Sequence, residues 1–125
     1  MNETLTPTWK LDMAEYCGTV KMFEFRTYVA TIEEANAIVE AMPKSLKAKI
    51  TTRYSTNFPN YDYGIYVEGR FPEATAHNAK NETGIKRFRK FVEMFGDQVT
   101  SFGEYDNAVR SLDEAIQHVN NIEEK

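Results

Sequence analysis

The chain is poor in the residues that disulfide, metal and nucleophile chemistry require: one cysteine, Cys17, and two histidines, His77 and His118, among 125 residues. A lone cysteine cannot close an intramolecular disulfide, so no cross-linked extracellular scaffold is expected, and a reducing, cytoplasmic setting is. Two histidines 41 positions apart and one cysteine do not make a zinc spacing. The acidic residues never fall into the D-x-D-x-D-G order of a calcium loop. No Gly-x-Gly-x-x-Gly and no Gly-Lys-Ser/Thr phosphate loop is present, so neither metal nor cofactor is expected. No apolar run reaches membrane-spanning length, the first residues lack a signal-peptide build, and no membrane partner is expected. The sequons Asn2-Glu3-Thr4 and Asn81-Glu82-Thr83 are read as chance matches. No glycine-rich elbow surrounds Cys17, His77 or His118, which leaves a nucleophile without an evident base.

What the chain does have is a strongly uneven charge. The net charge is −4, which argues against a general nucleic-acid binder. Within residues 44–90, however, ten Lys/Arg stand against four Asp/Glu, and elsewhere five stand against fifteen. The cations are concentrated where the tyrosines are. Five of the seven tyrosines follow residue 53.

At this length a single domain spanning 1–125 is expected. Residues 1–19 form an N-terminal arm or edge strand, because Pro7 excludes a helix there and Trp9, Leu11 and Met13 alternate. A core over 20–105 follows, and 106–125 is a C-terminal helical extension. Val20–Ala30 alternates as a strand, with Phe23, Phe25 and Val29 on one side and Glu24, Arg26 and Tyr28 on the other. Thr31-Ile32-Glu33-Glu34 is a capping box that opens a helix ending at Pro43. Lys47–Tyr54 and Tyr63–Phe71 again show period two, with a turn-rich connector between them. Ile85–Phe95 carries Ile85, Phe88, Phe91, Val92 and Phe95 on one helical stripe. Val99–Tyr105 is a weaker strand. Ser111 and Glu114 repeat the hydroxyl-and-glutamate cap before the last helix.

The order is β-α-β-β-α-β plus an extra C-terminal helix. This is similar to the ferredoxin-like α+β arrangement, an antiparallel sheet with helices on one face and its other face open. That fold hosts many unrelated functions, so the site has to carry the argument.

On the open face the pattern collects Arg26, Tyr28, Lys47, Lys49, Arg53, Tyr66 and Arg70, with Glu24 and Glu68 as the acids. Arginine forks bind phosphate bidentately and aromatic rings stack on bases, so this combination suits an anionic ligand with a flat ring. A second basic patch, Lys86, Arg87, Arg89 and Lys90, lies on the following helix, where Arg87 lacks an i±4 carboxylate and Arg89 has only Glu93. The helix is expected behind the sheet, separating the two patches. The bland reading of each is a solvated, ion-paired surface.

The expectation is a non-enzymatic binding protein for an anionic small molecule, nucleotide-like, or for a short nucleic-acid segment, and a homo-oligomer. The alternatives are a protein–protein adaptor or inhibitor acting through the open sheet or the acidic last helix, and a small enzyme using His77.

Overall fold

The computed structural model describes residues 7–16, 18–52, 63–71, 83–103 and 108–123. Five strands and three helices follow in the order β1 (Trp9–Tyr16), β2 (Thr19–Val29), α1 (Ile32–Glu40), β3 (Lys49–Thr52), β4 (Tyr63–Arg70), α2 (Thr83–Phe95), β5 (Val99–Phe102) and α3 (Leu112–Glu123). Short 3-10 turns occupy Lys44–Leu46 and Gly96–Gln98. The protein is α+β, with one open, mixed sheet in the order β3-β4-β2-β1-β5.

The expected four-stranded antiparallel sheet is therefore corrected in two respects. The strand at Trp9–Tyr16 is not an arm or an edge; it is paired on both sides, antiparallel to β2 and parallel to β5. The cause is the connection between β1 and β2, which spans only residues 17 and 18, with Gly18 at φ 78°. A two-residue link needs positive φ and forces the two strands to be neighbours. β1 thus takes the flank of β2 that β5 was expected to fill. Because β1 and β5 run parallel, the sheet is mixed.

Strand alternation builds the core as expected. Leu11, Met13, Phe23, Phe25, Ile65 and Val67 are fully buried. A register shift at Ala14/Glu15 leaves Lys21 as the extra residue of β2, so that Val20 and Phe23 both turn inward despite their odd spacing. The aromatic side chains of α2 press on this face. Phe91 stacks on Phe25 at 3.9 Å and meets the edge of Trp9 at 5.0 Å, while Phe88 sits 5.4 Å from Phe23. Ala35 of α1 and Ala115 and Val119 of α3 belong to the same buried cluster.

The caps read from the sequence are present. Thr31 Oγ1 accepts from the Glu34 amide at 3.2 Å, and Ser111 Oγ accepts from the Glu114 amide at 3.2 Å. Two acidic residues stand in the first turn of α1 and two in that of α3, but none in that of α2. Among the described residues, no helix is long and apolar enough to cross a membrane.

Candidate anion-binding cleft

The polar face of the sheet is laid out in crossed rows. Lys10, Arg26, Tyr66 and Lys49 are successive partners across β1, β2, β4 and β3. The next row is acidic: Asp12 lies opposite Glu24, and Glu24 opposite Glu68. Carboxylates placed directly opposite each other repel. Arg26 offsets that repulsion, reaching Asp12 at 3.0 Å and Glu24 at 3.4 Å with its side chain only 22% exposed. Lys49 does the same for Glu68 at 3.2 Å, in a more exposed pair. Lys10 and Asp12 were absent from the expected site because β1 was not placed inside the sheet.

Tyr66 does not stand away from the sheet. A Cβ at Gly64 would lie 2.9 Å from Tyr66 Cε2 and 3.1 Å from its hydroxyl, so the ring leans over that glycine. Tyr28 lies in register with Gly64 on β2, so the two tyrosines occupy neighbouring strands at this end of the face.

At the other end, the remaining cations converge. A cleft of about 350 Å³ is lined by Lys47, Lys49, Glu68, Arg70, Arg87 and the first residues of α2, Thr83 and Gly84, with Met22 and Gly69 completing it. It unites Lys47, Lys49 and Arg70 of the expected face with Arg87 of the expected second patch. The two patches, expected to lie apart, meet here. The reason is a close approach. A Cβ on Gly84 would lie 1.8 Å from the carbonyl oxygen of Arg70, so glycine lets the start of α2 dock on the end of β4. One turn on, Arg87 Nη1 donates to the Glu68 carbonyl at 2.7 Å.

Lys47 was expected on a strand; instead it ends the 3-10 turn in the left-handed region, at φ 49° and ψ 46°. The chain must bend sharply there to enter β3, and lysine makes that bend at a cost glycine would avoid.

The rest of the second patch divides. Arg87 is held by Glu68, and Arg89 Nη2 bonds Asn120 Oδ1 and Glu123 Oε1, both at 3.1 Å. Arg87 is therefore not the unengaged cation that i±4 spacing suggested, and Arg89 too is engaged from another element; their acceptors come from β4 and α3. Lys86 and Lys90 are exposed. Arg53, His77 and Cys17 lie outside the described residues. Among the described residues, no group of three His, Cys, Asp or Glu could hold a metal ion.

No protein-family model matches the chain, and no solved structure matches it. The chain is similar to the tRNA-2-methylthio-N(6)-dimethylallyladenosine synthase of two strains of Clostridium botulinum, at 34% identity over 98 residues. The match covers 73% of this chain but 22% of each relative, so the chain spans about a fifth of the length of the curated relatives it matches.

Proposed function

We propose that the protein is a non-enzymatic binding protein for a phosphate-bearing, nucleotide-like ligand, with the anion held in the cleft between β3, β4 and α2. The observation that carries this reading is the charge of the cleft among the described residues: Lys47, Lys49, Arg70 and Arg87 against one carboxylate, Glu68. These cations stand beside Thr83 and Gly84, the first described residues of α2. Like charges gathered this way are unfavourable in an empty protein and favourable around an anion. Lys47 and Arg70 have no ion-pair partner among the described residues, so their charge is available to a ligand. Lys49 lies directly across from Tyr66, so a ligand anchored in the cleft extends over the face toward a ring on which a base can stack. Arg26 serves this reading indirectly, since its charge is engaged by Asp12 and Glu24.

The tRNA-modifying enzyme named in the relatives acts on a polyanion, which agrees with this chemistry; the present chain spans too little of it to carry over the synthase activity. The adaptor reading through α3 is weaker, because Glu123 of that helix is engaged by Arg89.

Thermal melting with nucleoside monophosphates, short RNA and short DNA tests the proposal. A ligand at about one hundred times its dissociation constant adds roughly 2.7 kcal/mol to stability. For a domain of this size the melting temperature should rise by about ten degrees. The rise should be lost in Arg70→Ala. No rise with any phosphate-bearing ligand at low salt would refute it.

A further inference from the structure

We infer that the cleft selects a terminal phosphate, a phosphomonoester or the end of a diphosphate, over the internal phosphodiester of a continuous strand. The inference rests on the phosphate-binding reading above and sharpens it.

Three features support it. The first is charge stoichiometry. Among the described residues, four cations and one carboxylate line the cleft, a surplus of three positive charges. A phosphodiester carries one negative charge and leaves most of that surplus uncompensated. A phosphomonoester carries close to two near neutrality and offers three acceptor oxygens. The second is how closely the two elements bring their cations together: Gly84 is pressed on the backbone of Arg70, and Arg87 bonds to the backbone of Glu68, so Arg70 of β4 and Arg87 of α2 line one cleft.

The third is Lys47. Its φ of 49° is the only positive φ of a non-glycine residue among those described. Glycine or asparagine would meet the same turn at lower cost. Lys47 lines the cleft, which gives the strained position a use that a turn residue alone does not have.

The experiment is a fluorescence-polarisation titration of the full chain with trinucleotides labelled at the 3′ end, bearing either a 5′-phosphate or a 5′-hydroxyl. Adenosine 5′-monophosphate serves as an unlabelled competitor, with adenosine as its control. The expected result is at least about tenfold tighter binding for the 5′-phosphorylated strand, equivalent to one 1.4 kcal/mol step. Adenosine 5′-monophosphate should compete and adenosine should not. The competitor also separates the two sources of a terminal phosphate. Competition by the mononucleotide at a similar dissociation constant assigns the site to free nucleotides; competition only at much higher concentration assigns it to strand ends. Equal affinity for the two trinucleotides would overturn terminal-phosphate selection while leaving anion binding standing. Absence of binding by any of them would overturn both.

Lys47→Gly provides a second, independent arm. The variant should melt a few degrees higher, about 3 °C, because the left-handed strain is relieved. It should nevertheless bind the 5′-phosphorylated strand at least about tenfold more weakly. Unchanged affinity in a variant that is at least as stable would remove Lys47 from the site and overturn the inference.

Discussion

Gly84 and Arg70 are packed so closely that a methyl group on the glycine would lie 1.8 Å from the arginine's carbonyl oxygen. The obstacle is backbone, not a flexible side-chain tip, so it cannot swing aside. This contact sets where α2 begins relative to β4, and with it the mutual position of Arg70 and Arg87.

Gly84→Ala should therefore destabilise the fold by about 1–3 kcal/mol, the usual penalty of overpacking a tight contact. Urea unfolding measures it as a lower midpoint with an unchanged slope. Because the helix start must move, phosphate binding should fall along with stability. A midpoint equal to wild type would mean that α2 does not dock on β4 in this way.

Arg26→Gln addresses the sheet face. The substitution removes the cation that bridges Asp12 and Glu24, which lie opposite each other. A loss of about 1–2 kcal/mol is expected, reduced from the figure for a fully buried pair because the groups are partly exposed. Adding Asp12→Asn to the variant should restore part of the loss, since one of the repelling charges is removed. Additive losses in the double variant would show that Arg26 and Asp12 do not act together.

Arg89→Ala tests how α3 is tethered to α2. The pair with Glu123 is exposed, with side-chain accessibilities of 39% and 56%, so its share of the cost should be about 0.5 kcal/mol. The effect should be local: faster amide exchange in the last turn of α3, with the buried Ala115 and Val119 region little changed. Uniformly faster exchange across the whole chain would instead place Arg89 at the centre of global stability.

Most of the secondary structure was legible because each signal was local. Phe23, Phe25, Ile65 and Val67 declared their face by alternation, and Thr31 and Ser111 declared two helix starts by their side-chain chemistry. The α+β class and the neighbours β3, β4 and β2 follow from those signals. The position of β1 did not follow, because alternation at Trp9, Leu11 and Met13 identifies a buried face without naming the strands alongside. Gly18 was the available clue: a glycine just before a strand signals a tight link, and a tight link makes the two strands neighbours.

The site was legible in its residue types more than in its grouping. Lys49 and Arg70 were placed on the polar face by parity, but parity does not show that Arg26 is engaged by Asp12 of another strand. Helical spacing presented Arg87 as unpaired and offered Arg89 only Glu93, because i±4 counting sees only partners on the same helix. Their acceptors on β4 and α3 are 19 and 34 residues away. The meeting of Arg87 with Arg70 depends on Gly84, whose role is visible only once β4 and α2 are in contact.

The most direct test of the cleft is an amide-resolved NMR titration of the 15N-labelled chain with adenosine 5′-monophosphate at low ionic strength. Saturable shifts should appear at Lys47–Lys49, at Glu68–Arg70 and at Thr83–Ile85, and these shifts should be lost in Arg70→Ala while the spectrum of the remaining residues is kept. Shifts confined to α3, or no saturable shift at these three segments, would contradict the assignment of the cleft as the ligand site.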